Sequence, residues 1–241
     1  MRPARPKLTA LILPHAGYVY SGPVAAHAGR ALKNQTIKKI ILMGPDHRIG
    51  FSDSAIPDAS FFQTPLGKIP ISPDAAELIQ QQPALFHVLP LSMDREHSGL
   101  AKWCFRCCGI FWMNLTLCRS PRETPIPEEG LAAAIEPIRD PETLLVASSD
   151  LSHYLPYDAA KQKDQKTIRQ ILALDVAALS GGEENAACGI LPIKTILHLA
   201  RQHVGGLRCC SPTPAAEIPP VPKPGGRIWG HCILRKQNRQ F

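Results

Sequence analysis

Three apolar runs stand out along the chain: "LTALIL" at 8–13, "IKKIILMG" at 37–44 and "TLLVASSD" at 143–150. Each is nearly continuous rather than alternating, which is the pattern of a strand buried on both faces in a parallel sheet. Each also stops abruptly in a turn. The turns are Pro14-His15-Ala16-Gly17, Gly44-Pro45-Asp46-His47 and Ser148-Ser149-Asp150, with His153 just beyond the last. Between the runs lie segments of helical period. "GPVAAHAGRALKN" sets Val24, His27, Ala28 and Leu32 on one face, and Ser72 followed by Pro73 forms an N-cap that opens "PDAAELIQQQ". "PEEGLAAAIEPI", "YDAAKQKDQKTIRQILAL" and "GILPIKTILHLARQH" complete the helical set. Strands alternating with helices predict a three-layer α/β domain, with a largely parallel sheet flanked by helices.

Composition narrows this only a little. The 241 residues suit one sizeable domain spanning 1–241, and 44% hydrophobic with 20% charged residues is a globular balance. No segment reaches the roughly 18 consecutive apolar residues of a membrane span, and the start lacks the pattern of a secretory signal. A soluble, cytoplasmic protein without a membrane partner is expected. The formal charge of +7 raises the question of nucleic acid, but the basic residues are scattered and lack interleaved aromatics. They predict a solvated surface and no nucleic-acid partner.

The three histidine-bearing turns change the picture more. In open α/β sheets, ligands gather beyond the carboxyl ends of strands, so His15, His47 and His153 are expected to converge although far apart in sequence. Imidazole is the commonest ligand for zinc, iron and copper, and two histidines with one anionic ligand is a recipe for non-haem iron(II). Cys188, just before the last helix, is a candidate for the anionic ligand, because a helix N-terminus favours thiolate. His27, His198 and His203 lie on helices and read as structural.

"PHAGYVYSGPVAAHA", "IILMGPDHR", "FFQTPLGKIPI", "DREHS", "VASSDLSHY" and "ACGILPI" resemble, in order and spacing, the motifs of the Memo family. Its bacterial and archaeal members are called AmmeMemoRadiSam system protein B. The resemblance implies a fold similar to class III extradiol ring-cleaving dioxygenases. It matches His15, His47 and Cys188 to the family's metal ligands, and His153 to a histidine that acts as acid or base in the dioxygenases. Asp150, Glu96 and His97 fall in family motifs near the pocket. Iron(II) is the implied metal, with copper or zinc as alternatives. A small-molecule or peptide ligand and a functional link to a radical SAM protein are implied as well. Two function classes follow: a dioxygenase-like metal-dependent oxidoreductase, or a non-enzymatic metal- or peptide-binding protein. The chain departs from the family in two places. It starts almost at the first strand, where members carry a preceding segment, and Gly189 is followed by Ile190 rather than arginine.

One stretch fits neither the pattern nor the family. "KWCFRCCGIFWM", at 102–113, holds three of the chain's eight cysteines. As a zinc knuckle, Cys104 and Cys107 lack a second ligand pair at zinc spacing. In the neighbouring reading frame the segment permits G-E-V-V-L-P-L-L, close to the family's own continuation. Trp112-Met113-Asn114 is forced to D-E there, because tryptophan and methionine each have one codon. "CCSPTPAAEIPPVPK" behaves alike, permitting L-L-A-Y-A-S-S-G-D-T. Residues 99–123 and 205–226 are therefore expected to be out of frame and, in the chain as it stands, irregular. A non-functional product of a frame-disrupted gene is the third functional outcome.

Overall fold

The computed structural model describes residues 8–16, 18–33, 35–47, 54–64, 67–88, 115–119, 128–179, 187–202, 205–209 and 232–236. Ten strands are described: β1 Leu8–Leu13, β2 Lys39–Pro45, β3 Ser54–Ile56, β4 Phe61–Thr64, β5 Gly67–Pro70, β6 Phe86–Val88, β7 Leu115–Arg119, β8 Thr143–Ser148, β9 Gly205–Cys209 and β10 Cys232–Lys236. The helices are α1 Tyr18–Leu32, α2 Asp74–Gln81, α3 Glu128–Ile135, α4 Tyr157–Leu172 and α5 Ile190–Gln202. Eight strands form one sheet in the order β6-β3-β7-β2-β8-β1-β10-β9, and β4 pairs with β5 as a separate hairpin. Each of the five predicted helices is present. Ser72 Oγ accepts the Asp74 backbone N–H at 3.3 Å, so the serine caps α2 as expected.

The centre of the sheet is the parallel set β2, β8 and β1, with Ala10 opposite Leu145 and Ile41 opposite the same residue on the other side. All six residues of β8 are buried, which explains why its sequence shows no polar alternation. The strand residues still divide by parity. Ala10, Ile12, Ile41, Met43, Leu145 and Ala147 pack with α2, α3 and α5, as Leu78, Leu131, Ile193 and Leu197 show. Leu11, Leu13, Ile40, Leu42, Leu144 and Val146 pack on the opposite face with Ala28 and Leu32 of α1 and Ile69 of the hairpin. The result is three layers. Leu8 breaks the parity by joining the odd-numbered face of β1, and a register irregularity between Leu8 and Ala10 in the pairing with β10 accounts for it.

The sheet is mixed at its margins. β10 runs antiparallel to β1 and to β9, and β3 is antiparallel to β7. β7 and β9 also correct an expectation, because both lie in the segments expected to be irregular. β7 pairs in parallel with β2, and β9 lies against β10. Backbone pairing does not require a particular side chain, and "LTLCR" and "GGLRC" each hold five residues without proline. The remainder of 99–123 and of 205–226 lies outside the described residues.

Helix α4 buries the stripe Ala160, Asp164, Thr167 and Ile171. Asp164 is only 2% exposed. Its Oδ1 accepts the Ser152 backbone N–H at 3.0 Å, while Oδ2 has no hydrogen-bond partner among the described residues. Burial pushes this carboxyl from 3.8 up to about 6, against the lowering effect of the Ser152 N–H. A folded value above the unfolded one gives a contribution that is fully present below about pH 4 and lost as pH rises through about 6. The shift corresponds to about 3 kcal/mol. Asp164→Asn is therefore expected to gain stability relative to the native chain as pH rises from about 4 to 8, by up to roughly that amount. Urea unfolding of both chains across this range is the check, and a stability difference that stays flat with pH would contradict it.

Candidate metal centre

Because β1, β2 and β8 are parallel neighbours, their carboxyl ends open on one edge of the sheet, with β8 in the middle. His15 follows β1, His47 follows β2, and Asp150 and His153 follow β8. Cys188 arrives separately, two residues before α5 begins. The ligand atoms of His15, His47 and Cys188 lie within 4.8 Å of one another, and those of Asp150, His153 and Cys188 form a second group within the same limit. The pocket thus gathers the five described members of the predicted site set. Glu96 and His97 lie outside the described residues.

His15 is 1% exposed and anchored at both its backbone and its ring. Its backbone N–H donates to Asp150 Oδ1 at 2.9 Å, and that of Ala16 donates to the same oxygen at 3.3 Å. Nδ1 lies 3.0 Å from Ser148 Oγ, which turns Nε2 towards Cys188 Sγ at 3.4 Å. A hydrogen bond at Nδ1 of this kind orients an imidazole, and because the serine hydroxyl can either donate or accept, both tautomers can make it. The ring of His47 meets that of His15 edge-on, with centroids 5.2 Å apart and planes at 73°. Unlike His15, His47 is exposed.

Asp150 is the hinge between the two donor groups. It is 4% exposed, and its Oδ2 lies 3.6 Å from His15 Nε2 and 3.9 Å from His153 Nε2. Its backbone N–H donates to Cys188 Sγ at 3.2 Å, and the Cys188 N–H returns a bond to its carbonyl at 3.1 Å. The cysteine is therefore fixed by reciprocal backbone bonds. Burial first, and the negative charge of Asp150 second, push the Cys188 thiol from 9.0 up to about 12. The expectation that a helix N-terminus would favour thiolate is corrected here. Desolvation and a neighbouring carboxylate outweigh it, and without a cation this cysteine is a thiol at neutral pH.

Three residues with no assigned role in the sequence reading complete the site. Ser148 orients the His15 ring, as above. Ser149 Oγ accepts the Gly189 N–H at 2.9 Å and itself donates to the Asp150 carbonyl at 2.9 Å. Gly189 lies so close beneath β8 that a Cβ on it would meet the Ser148 carbonyl oxygen at 2.5 Å and Ser149 Cβ at 2.7 Å. Only glycine fits there without moving backbone, and its place directly after a candidate ligand was the available signal. The described helical histidines stay outside the pocket. His198 Nε2 lies 3.5 Å from Glu129 and 3.9 Å from Glu128, while the Lys194 ammonium sits 3.2 Å from Glu128. That cluster is a charge-paired contact between α3 and α5.

The donor set fits a divalent metal. The separation of Cys188 Sγ and His15 Nε2 suits two donors sharing an ion at the usual 2.0–2.3 Å or so from each. Two neutral imidazoles and one thiolate also leave the ion part of its charge to set against buried Asp150.

Residues 2–105 and 120–210 match the family described as Memo-like protein. A MEMO1 family protein of Sulfurisphaera tokodaii is 31% identical over 201 residues, covering 79% of this chain and 70% of that protein. One from Caldivirga maquilingensis is 36% identical over 186 residues, covering 71% of this chain and 62% of its own. A third, from Methanothermobacter thermautotrophicus, is 31% identical over 214 residues, covering 84% and 76%. The crystal structure of an uncharacterized protein, JW3007, from Escherichia coli K12 is similar in fold, with a TM-score of 0.60 at 13% identity, over 94% of this chain and 100% of that one. The motifs that surround His15, His47, Asp150, His153 and Cys188 all fall within the matched residues, and the chain belongs to the Memo-like protein family.

Proposed function

We propose that this protein binds one divalent metal ion, iron(II) in preference to copper or zinc, through His15, His47 and Cys188, and uses it in dioxygenase-like chemistry. The observation that carries the reading is the convergence of these three donor atoms, from three separate elements, within 4.8 Å. An ion bound by two imidazoles and a thiolate supplies Lewis acidity and open coordination positions for a small ligand. The chain's own residues supply the rest. His153, with its side chain 30% exposed and Nε2 facing Asp150, is placed to take a proton from an incoming ligand and return it. Asp150 stabilises the charged imidazole while holding the His15 turn in place. The exposed side of the pocket, at His47 and His153, is the entry. No helix of the described residues is long and apolar enough to cross a membrane, and the ligand we propose is a small molecule.

The competing reading is a metal-binding protein without catalysis. Metal-dependent oxygen consumption with catechol-like substrates separates the two, since a purely binding role consumes none. The out-of-frame reading also keeps one observation in its favour: the family match is interrupted at 106–119 and ends at 210. The DNA sequence across codons 98–124 and 205–226 decides that question directly.

Two outcomes test the metal reading. His47→Ala is expected to abolish most iron binding, because it removes a direct donor. His153→Ala is expected to cost no more than the roughly 10–100-fold typical of groups around a metal that do not ligate it. Equal losses by elemental analysis would contradict these roles. Metal binding must also displace the Cys188 proton, because the thiol's value of about 12 keeps it protonated at neutral pH. Affinity should therefore rise about tenfold per pH unit between roughly pH 7 and 8. Calorimetric titration in buffers of different ionisation enthalpy would count the released proton, and pH-independent affinity would remove Cys188 from the ligand set.

A further inference from the structure

Asp164 presents a problem that the metal reading does not solve. It is a buried carboxyl on α4 whose burial disfavours its charged form, and Oδ2 has no hydrogen-bond partner among the described residues. Its hydrogen bond is with the loop that carries the pocket's acidic and proton-handling residues. Oδ1 accepts the backbone N–H of Ser152, buried at 3.0 Å, between Asp150 and His153 in sequence.

We infer that Asp164 is a positioning residue, which clamps the Ser152 backbone so that His153 faces Asp150 across the pocket mouth. The loop between β8 and α4 has one end fixed by the sheet, where the Ser149 N–H donates to the Leu13 carbonyl at 2.8 Å. Leu151, 2% exposed, is packed below it. Beyond Leu151 the backbone does something costly. Tyr154 adopts φ 58, the left-handed region that disfavours bulky side chains, yet 75% of its surface is exposed. Its ring stands beside that of His153, with centroids 6.0 Å apart and planes at 45°, and strain of this kind persists only where the surroundings over-determine it. The clamp at Ser152 is the adjacent fixed point. Between it and the strained residue lies His153, whose Nε2 is 3.9 Å from Asp150 Oδ2. Without the clamp the loop can relax the Tyr154 conformation, and His153 is the side chain such relaxation would swing.

The inference rests on the reading of His153 as the proton-handling group, but its test uses the metal-free chain of 241 residues. Hydrogen exchange on the native chain comes first: the Ser152 amide should be slowed by at least about tenfold relative to an unbonded loop amide. Asp164→Ala removes the acceptor, whereas Asp164→Asn keeps an oxygen in its place. In the alanine variant, Ser152 protection should be lost and the ring nitrogen NMR signals of His153 should move, with those of His27 and His198 unchanged. The asparagine variant should restore both. Rapid Ser152 exchange in the native chain overturns the inference, even if the alanine variant fails to fold. So do unmoved His153 signals in the alanine variant, shifts spread over every histidine, or an asparagine variant that behaves like alanine. A failure of iron to bind, with the clamp intact by these measures, sinks the metal reading alone.

Discussion

The site hangs from the parallel pairing of β8 with β1 on one side and β2 on the other. Parallel neighbours end at the same edge, so three turns that are remote in sequence are forced to share one small volume. The pairing continues past the strands themselves, where the Ser149 N–H reaches the Leu13 carbonyl. It also continues through side chains, since Asp150 takes the backbone N–H groups of His15 and Ala16. These bonds span more than 130 residues of chain and are buried. Asp150 therefore does two jobs with one carboxylate, fixing the His15 turn with Oδ1 and facing both imidazoles with Oδ2.

That economy has an electrostatic consequence. A buried carboxylate beside a half-buried cysteine makes the thiolate unfavourable, and the thiol is pushed up to about 12. A metal-free cysteine nucleophile would need the opposite arrangement, with a cation or helix dipole lowering the thiol. Here the reciprocal backbone bonds hold Sγ in place, and the net effect of the described surroundings is to raise the thiol. The divalent ion proposed above would answer both Asp150 and Cys188 at once.

The strand ends were legible in the sequence because a strand buried on both faces leaves a continuous apolar run, and its termination is sharp. His15, His47 and His153 could be placed on one edge for that reason. Helix α5 and Cys188 before it were legible from the 3.6-residue period of "GILPIKTILHLARQH". Other parts were not. β3 and β6 are three residues each, too short to show any period. Asp164 sits at a position that pairs with the apolar stripe of α4, yet its type suggests the solvent face. Only the location of Ser152, 12 residues away across a turn, explains its burial. The dependence of the Cys188 thiol on Asp150 was hidden for a similar reason, because it arises from contact between residues 38 apart.

The flanks of the central trio carry the last step. β2 is bordered outwardly by β7, and β1 by β10. β7, at Leu115–Arg119, falls in the gap of the family match, and β10, at Cys232–Lys236, lies beyond its end at 210. The strands that bear the pocket are thus enclosed between two strands that lie outside the residues of the family match. A sheet tolerates this, because ladder hydrogen bonds join backbone to backbone and ask of the neighbour only an extended run without proline. Side-chain packing is where foreign residues are felt. The pocket is shielded from that, since its ligands and their supports come from β1, β2, β8, α4 and the start of α5. What the neighbours contribute is the pairing of the outer edges of β1 and β2, while the ladders of both with β8 set the spacing at which His15 and His47 stand on either side of it.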